Sequence, residues 1–351
     1  MKSPFIWDSY SDQPHVIRDK AYKKQMKKKH SLDYLKLVIS TAFVFPIATT
    51  LMKVFKPSKP KGNDIYGIGV NLDKGDVQVE LIEELGVKNL LIRLPLSDIQ
   101  NIQKYYDFTL KFIQNGNKQI VINILQDREH IDDSELLQED ISIIFNTFKT
   151  VTNEFQIGNA INRTKWGFFS IGEYLKFYKY VQDIRDSSFK NIKLIGPSVI
   201  DFEYYYTVRA LFNGYDISFD KLSSLLYVDR RGNPYNTQMG IFDTSNKIDL
   251  LYALTRLSPK TKSDDIYITE VNWPLSNTAP YAPTSEKECV GYDEYAKYMV
   301  EYYDIARKSG KISKVFWHQL IAPGYGLVDN RDSKIIKTKA FYEFKKMVQN
   351  G

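Results

Sequence analysis

The chain of 351 residues contains a single cysteine and only four histidines. Cys289 has no second cysteine to pair with, so cysteine usage does not indicate a redox compartment. The histidines are too scattered to predict a metal site. They are His15, His30, His130 and His318. Phosphate-binding motifs are also absent: there is no Walker sequence, and residues 67–75 lack the G-x-G-x-x-G spacing of dinucleotide sites. We therefore expect neither a metal nor a cofactor.

Excess positive charge is absent outside the N-terminal region. The first 62 residues contain 13 Lys or Arg and 4 Asp or Glu, while the whole chain carries a net charge of +6. The remaining residues therefore have a net charge of −3. A nucleic-acid-binding domain needs positive charge on the surface that docks. We therefore do not expect the main domain to bind nucleic acid.

One uncharged run, Leu37–Met52, is flanked on both sides by lysines. A membrane span needs roughly 20 apolar residues, and the run reaches that length over 35–55 if Lys36 and Lys53 extend to the interfaces. The larger basic cluster precedes the run, which places the N-terminus in the cytoplasm by the positive-inside rule. A buried or interfacial amphipathic helix is the alternative, and a cleaved signal peptide is disfavoured by the long basic region.

The sequence thus divides into four parts. We expect a basic cytoplasmic tail at 1–34, a transmembrane anchor at 35–55, a proline-containing linker at 56–63 and a globular domain at 64–351. This topology predicts a single-pass protein of a bacterial inner membrane, with the globular domain in the periplasm. Protein partners are not predicted.

Eight short apolar runs alternate with helical patterns in the globular domain. They lie at 65–72, 88–96, 118–125, 155–162, 192–200, 222–228, 266–271 and 315–321. This number and order predict an α/β protein with a (β/α)8 TIM barrel. The competing fold, a doubly wound open sheet that binds a nucleotide, would need a glycine-rich phosphate turn after the first run.

Polar and aromatic side chains stand near the ends of these runs, where the active site of such a barrel lies. They are Arg93, Asn159, Asn162, Tyr227, Asp229, Glu270, Trp273, Trp317 and His318. Glu270 closes an otherwise apolar strand in Ile-Thr-Glu-Val-Asn-Trp. A carboxylate in that position is either a surface group or a reactive one, and the polar groups at the other strand ends favour the reactive interpretation.

The set resembles the clan A retaining glycoside hydrolases over about residues 65–349. The resemblance implies that Glu270 is the nucleophile and that Arg93 and Tyr227 hydrogen-bond it. A guanidinium and a phenol beside a carboxylate favour its ionised form, which a nucleophile needs. The resemblance also implies that Trp317 forms the floor of a sugar subsite.

A sugar presents an apolar face of C–H groups and a rim of hydroxyls, so aromatic and amide side chains suit it. We therefore predict an oligo- or polysaccharide as partner. The remaining strand-end residues are the predicted substrate contacts. They are Asn159, Asn162, Trp273, Trp317, His318 and Asp229. Structural alternatives remain for four residues: Trp317 as a core residue, His318 as a hydrogen-bonded one, Arg93 as a member of an ion pair and Tyr227 as a packed core aromatic.

The sequence departs from the family at the fourth strand. The clan has Asn-Glu there, with Glu as general acid and base, whereas this chain has Asn159-Ala160. Retaining hydrolysis normally uses two carboxyl groups about 5–5.5 Å apart. Three hypotheses remain: an activated or lipid-linked glycoside that needs no acid, an acid supplied by Asp229 (with Asp201 or Glu203 next), and a catalytically silent carbohydrate-binding barrel in polysaccharide assembly.

Two loops bear on the substrate. Arg230 and Arg231 follow the sixth strand and suit an acidic sugar or a phosphate, although solvated loop charge is the simpler interpretation. The stretch 276–288 is long enough to form a lid in which Tyr281 covers a sugar ring, and it could equally be a disordered crossing.

Overall fold

The structure is a computed structural model that describes residues 6–61, 64–114, 116–331 and 334–351. Eight parallel strands form a closed barrel in which sequence neighbours pair and the last strand pairs with the first. The strands are Tyr66–Val70 (β1), Asn89–Pro95 (β2), Gln119–Leu125 (β3), Glu154–Ile157 (β4), Lys193–Ile200 (β5), Lys221–Leu225 (β6), Ile266–Val271 (β7) and Lys314–Trp317 (β8). Closure through Val315 and Tyr66 confirms the predicted (β/α)8 barrel and excludes the open sheet.

Helices surround the barrel and follow the strands in the predicted alternation. They are Lys20–Lys29 (α1), Ser31–Leu51 (α2), Val77–Leu85 (α3), Ile102–Gln114 (α4), Arg128–Asp132 (α5), Ser134–Phe148 (α6), Ile171–Ser188 (α7), Tyr204–Leu211 (α8), Thr244–Leu257 (α9), Tyr292–Ser309 (α10) and Lys339–Asn350 (α11). α3 ends at Gly86, whose left-handed φ of 71° suits glycine because it has no Cβ. The helix after β2 begins only at Ile102, because Leu96–Asn101 forms a 3-10 turn with Asp98 outside helical geometry.

Side chains fill the barrel interior below its carboxyl-terminal mouth. Near the amino-terminal ends of the strands, Lys221 donates to Glu154 and to the Tyr267 hydroxyl. Above them lies a buried apolar layer. It consists of Leu91, Val121, Ile195, Tyr267 and Phe316. Gly67 completes this layer, since a Cβ there would lie 2.7 Å from the Phe316 ring. Packing of this kind leaves the mouth as the place for chemistry.

α2 lies against the outside of the barrel, on α8 and α9. It is long and apolar enough to cross a membrane, and only 11% of its most apolar window is buried. On the barrel side, Phe45 stacks on Tyr204 with ring centroids 4.1 Å apart, and Ala48 and Met52 are buried. The opposite side exposes a row of large apolar side chains. They are Leu32, Leu35, Val38, Ile39, Phe43 and Ile47.

Ion pairs hold both ends of α2 to the barrel. Asp33 accepts from the Arg209 guanidinium at 2.6 Å and from the Gly172 amide at 2.9 Å. Beyond the other end of the helix, the Lys53 ammonium lies 2.5 Å from Asp249. Gly172 leaves room for the Asp33 carboxylate, because a Cβ on Gly172 would lie 2.8 Å from that carboxylate.

The segment before α1 lies in the mouth of the barrel. Trp7–Asp8 and Gln13–Pro14 form a short antiparallel hairpin, and the Asp12 carboxylate contacts Gln319. This arrangement differs from the expected topology, in which residues 1–34 lie across a membrane from the barrel. The predicted division of the chain into tail, anchor, linker and barrel stays a prediction. Residues 1–5 of the expected tail and 62–63 of the expected linker lie outside the described residues.

Candidate active site

Glu270 reaches the mouth of the barrel at an irregularity between β7 and β8. Val315 pairs with Ile268, but Trp317 pairs with Val271, so β7 has one extra residue beside Glu270. Such a bulge breaks the alternation of side chains along a strand and redirects one of them. The Glu270 carboxylate therefore reaches the mouth, while the other residues of β7 stay buried.

Two neutral donors hold the Glu270 carboxylate. The Tyr227 hydroxyl donates to Oε1 at 2.5 Å, and the Asn159 amide donates to Oε2 at 3.4 Å. Burial, together with the negative charge of Glu270, raises the pKa of the Tyr227 phenol far above its ordinary value. The phenol therefore remains protonated at neutral pH and is always available as a donor. These two contacts join β4, β6 and β7 at one carboxylate.

Arg93 from β2 faces the same cavity without bonding the carboxylate. It is 6% exposed, and its guanidinium donates to the backbone carbonyl of Asp12 at 3.1 Å. The guanidinium also lies 5.7 Å from the ring centroids of both Trp7 and Trp166. The predicted direct bond from Arg93 to Glu270 is thus replaced by an electrostatic contribution across the cavity.

Glu270 is held in its ionised form. Burial acts to raise the pKa of the carboxyl, whereas the charge of His318 when it is protonated, the charge of Arg93 and the bonds from Tyr227 and Asn159 act to lower it, and the net direction is below the ordinary value. Burial lowers the pKa of His318 to about 4, so that imidazole is neutral at pH 7. Arg93 and the two hydrogen bonds therefore sustain the carboxylate at neutral pH.

The cavity around Glu270 has a volume of about 180 Å³. This is smaller than the roughly 300 Å³ at the lower end of typical ligand pockets, so it admits a group the size of one sugar ring. Residues 11–13 form one wall, and Pro283 and Thr284 of the expected lid contribute to another. Tyr281 of the lid packs edge-on against Tyr10, with centroids 5.5 Å apart.

Sequence reasoning missed this N-terminal wall because the basic residues that follow it suggested a cytoplasmic tail. Its contacts are specific: Asp12 bonds Gln319 at 3.2 Å and pairs with Lys74 at 3.3 Å. Gln13 accepts from the Lys165 ammonium at 2.5 Å. The unusual density of aromatic and polar residues in the first 14 positions was the available signal.

The end of β4 carries no acid. Ala160 is fully buried in the hydrophobic core at a left-handed φ of 46°. Asn162 is turned towards β5, where it bonds both the amide and the carbonyl of Ile200 and donates to Glu203. Asn159 thus lies at the Glu270 carboxylate, whereas Asn162 bonds Ile200 and Glu203, and the predicted contacts of both residues with substrate stay predictions.

The two predicted tryptophans lie outside the cavity. Trp273 and Trp317 are completely buried, with stacked rings 5.8 Å apart. The Trp317 indole donates to the Tyr295 hydroxyl on α10, and the Trp273 indole donates to the Gly232 carbonyl. Both rings therefore pack behind the barrel wall and do not line the cavity around Glu270, and their expected role as sugar contacts stays a prediction.

The other candidate acids lie beside the Glu270 cavity. Arg163 pairs with Asp201 at 2.6 Å and with Glu203 at 2.7 Å. Asp201 lines the edge of the cavity, whereas Asp229 lines a neighbouring groove with Glu203. Both Asp201 and Glu203 are thus engaged with a guanidinium. Within the ranges that the structure describes, no three His, Cys, Asp or Glu side chains converge as a metal site.

Several residues of the cavity lie in loops rather than at the ends of strands. Arg231 stacks on the Tyr227 ring at 3.5 Å from its centroid and donates to Asn272. His318 was predicted, and its ring stacks on Tyr325 with centroids 5.5 Å apart. The loop after β4 contributes Lys165 to the cavity wall. The mouth is therefore rich in both aromatic rings and cations.

Comparisons with known proteins agree with this architecture. No protein-family profile matches the chain, and no curated protein matches it significantly. Among solved structures, the virulence factor SghA from Agrobacterium tumefaciens superposes with a TM-score of 0.58 at 9% identity, over 86% of this chain and 99% of that one. The two chains share the (β/α)8 barrel fold. A GH39 β-xylosidase from Caulobacter crescentus gives 0.57 at 12% identity, over 83% and 72%.

The catalytic domain of an Ignisphaera aggregans GH53 protein also gives a TM-score of 0.57, at 15% identity, over 83% of this chain and 98% of that one. GH39 and GH53 are clan A glycoside hydrolases, the group that the sequence resembles. At these identities the likeness establishes the fold alone. The role of each side chain rests on the geometry of the cavity.

Proposed function

We propose that the protein is a membrane-attached, glycoside hydrolase-like enzyme that acts on a bacterial surface glycan with Glu270 as the nucleophile. The observation that carries this proposal is the Glu270 carboxylate, ionised and held by Tyr227 and Asn159 at the carboxyl end of β7. A positioned carboxylate of this kind attacks an anomeric carbon and forms a glycosyl ester. The small cavity limits the reacting part of the substrate to one sugar ring.

The leaving group must depart without help from a general acid. General acid catalysis accelerates such steps by roughly 10² to 10⁴, and the buried methyl group of Ala160 supplies none of it. Asp201 and Glu203 are each engaged in an ion pair with Arg163, so neither is an unpaired carboxyl group beside Glu270. The proposed substrate is therefore an activated glycoside, for example a lipid-linked one.

A catalytically silent carbohydrate-binding barrel is the second candidate. Two observations favour it: the residue after Asn159 is a buried alanine without a carboxyl group, and residues 11–13 cover part of the mouth. Such a protein would keep the cavity for recognition of a terminal sugar during polysaccharide assembly. Binding without turnover distinguishes it from the enzyme.

A paired-substrate assay on the purified full chain separates the two candidates. We expect dinitrophenyl glycosides of the correct sugar to release dinitrophenolate, and methyl glycosides of the same sugars to remain intact. Glu270→Gln should abolish release, whereas the exposed control Glu80→Gln should not. Hydrolysis of methyl glycosides at a similar rate would show that an acid operates. Glycan binding without any release would favour the silent barrel.

We propose further that α2 attaches the protein to an anionic lipid surface in the plane of the membrane. Its outward side exposes Phe43 and Leu35, at 73% and 55%, while its inward side is fixed to the barrel through Asp33 and Lys53. The helix that precedes α2 presents six exposed lysines to the same region. They are Lys20, Lys23, Lys24, Lys27, Lys28 and Lys29. Apolar side chains next to a polybasic segment are typical of interfacial helices.

The predicted topology, with α2 spanning an inner membrane and the barrel in the periplasm, requires residues 6–34 to leave the barrel. In-plane attachment keeps these contacts and places both chain ends on one side of the membrane. Reporter fusions at the N-terminus and C-terminus in cells distinguish the arrangements. Reporters on the same side support in-plane attachment, and reporters on opposite sides establish the span.

Vesicle flotation tests the lipid surface itself. We expect Phe43→Glu and Leu35→Glu to release the protein from vesicles that contain phosphatidylglycerol. Tyr342→Glu, at an exposed aromatic position on α11, is the matched control and should leave flotation unchanged. Equal binding to purely zwitterionic vesicles would remove the proposed role of the lysines.

A further inference from the structure

Three cations line the Glu270 cavity without a carboxylate partner. They are Arg93, Lys165 and Arg231. Among the described residues, none of the three forms an ion pair, and Arg93 keeps a buried Nε without any hydrogen-bond partner. Their present contacts are neutral: the Asp12 carbonyl, the Gln13 amide and the Asn272 amide oxygen.

The fourth cation of the cavity, Arg163, is neutralised by carboxylates. Arg163 forms ion pairs with both Asp201 and Glu203. Asp12, the other carboxylate at the wall, is paired with Lys74, which does not line the cavity. The space around Glu270 is therefore left with three unpaired cations against one carboxylate. Unpaired charge in a partly buried site is unfavourable unless a ligand neutralises it.

Lys165 lies in the part of the mouth that follows the end of β4. It belongs to the loop that follows β4, five residues after Ala160, and its ammonium is half-buried in the cavity wall. Burial lowers the pKa of Lys165, and the negative charge of Glu270 acts in the opposite direction. Lys165 thus brings an ammonium to the cavity of Glu270. It can stabilise a leaving group that departs as an anion.

We propose that the substrate is a glycosyl phosphate, with Arg93, Lys165 and Arg231 as the phosphate-binding set; this inference rests on the proposed function. The Glu270 carboxylate attacks the anomeric carbon, the bond from that carbon to the phosphate oxygen breaks, and the electron pair leaves with the phosphate. The sugar phosphate reacts as its monoanion, which already carries one proton on a non-bridging oxygen because its second pKa is about 6, so the group that departs is the hydrogen phosphate dianion and takes no proton from the protein. Guanidinium groups bind phosphate oxygens in a bidentate manner, and an ammonium adds a point charge.

The glycosyl ester is then resolved by water or by a sugar hydroxyl. The acceptor oxygen forms a bond to the anomeric carbon, the bond from that carbon to the Glu270 oxygen breaks, and the electron pair returns to the carboxylate. The acceptor proton passes to solvent. Both steps balance without any further reactant.

The test compares two leaving groups on one sugar. Purified full chain is assayed with hexose 1-phosphates of both anomeric configurations and with dinitrophenyl glycosides of the same sugars. We expect the wild type to use both classes. Lys165→Met should lower the ratio of phosphate to dinitrophenyl turnover by roughly tenfold or more, because a charge-assisted bond is lost only with phosphate. Lys165→Arg should restore most of the ratio.

Each outcome has a separate meaning. Turnover of dinitrophenyl glycosides without any turnover of sugar phosphates overturns the phosphate inference and leaves the role of Glu270 intact. An unchanged ratio in Lys165→Met also overturns it. Lys308→Met, at an exposed lysine on α10, controls for a general effect of removing charge. No turnover of either class by a folded wild type defeats the proposed function itself.

Discussion

The Tyr227 hydroxyl lies 2.5 Å from Oε1 of Glu270, across the gap between the ends of β6 and β7. The phenol is buried, and the charge of Arg231 lies over its ring. The Arg231 guanidinium contacts the face of the Tyr227 ring rather than its hydroxyl, so its effect on Tyr227 is separate from that of Glu270. The pair thus gives the carboxylate a fixed direction and a donor that does not titrate near neutral pH.

Tyr227→Phe should therefore weaken the nucleophile most at low pH. The lost hydrogen bond raises the pKa of Glu270 relative to the wild type, so the carboxylate becomes protonated at a higher pH. We expect the acidic limb of the kcat/KM profile for a dinitrophenyl glycoside to move to higher pH, and the plateau rate to fall roughly tenfold. A lower plateau with an unmoved acidic limb would contradict this role. Tyr342→Phe, an exposed tyrosine, is the control.

Trp7→Ala should loosen the N-terminal wall. Its ring packs edge-on against Trp166 at 5.9 Å and lies beside the Arg93 guanidinium. An aromatic pair contributes about 0.5–1.5 kcal/mol and a cation–π contact about 0.5–1 kcal/mol. Hydrogen exchange of residues 6–16 should therefore accelerate roughly tenfold. Val16→Ala, at an exposed position in the same segment, should leave exchange unchanged. Equal exchange in both variants would show that Trp7 does not hold the segment.

Asp33→Ala should destabilise the whole domain if α2 is part of it. The variant leaves the Arg209 guanidinium, which is 3% exposed, without its carboxylate. Removing one partner of a buried ion pair costs about 3 kcal/mol or more. Urea unfolding in detergent measures this loss, and a second variant that also carries Arg209→Met should recover part of it. An unchanged free energy of unfolding would mean that α2 is not docked.

His130 should make stability depend on pH. Burial acts to lower its pKa, but the carboxylates of Asp127 and Asp140, each 2.8 Å from a ring nitrogen, outweigh burial and raise it. A raised folded-state pKa stabilises the fold fully below the unfolded value of about 6.5 and loses that contribution as pH rises through the folded value. The free energy of unfolding should therefore fall above neutrality. His130→Gln should flatten this dependence, and the exposed His15→Gln should preserve it.

The barrel could be predicted from the sequence because each strand and helix carries its own local pattern. The apolar run at 266–271, which carries Glu270, forms a strand where one was expected. The position of Glu270, Tyr227 and Asn159 at one mouth follows from the topology alone, since all barrel strands point the same way.

The rest of the site depends on packing that a linear sequence does not express. Trp317 lies at a strand end, as the sequence predicts, but its indole donates to the Tyr295 hydroxyl behind the barrel wall. The N-terminal wall is separated from its partner Gln319 by most of the chain, so no local signal joins them. Lys165 lies in a loop, where side-chain direction has no period.

The most direct test of the account is to identify the residue that a mechanism-based reagent modifies. The full chain is incubated with 2-deoxy-2-fluoro glycosyl fluorides of several configurations, and the modified peptide is mapped by mass spectrometry. We predict one glycosyl adduct, on Glu270, that is absent from Glu270→Gln and present on the exposed control Glu80→Gln. An adduct on Asp201, Glu203 or Asp12, or one that persists in Glu270→Gln, would contradict the assignment of Glu270 as the nucleophile.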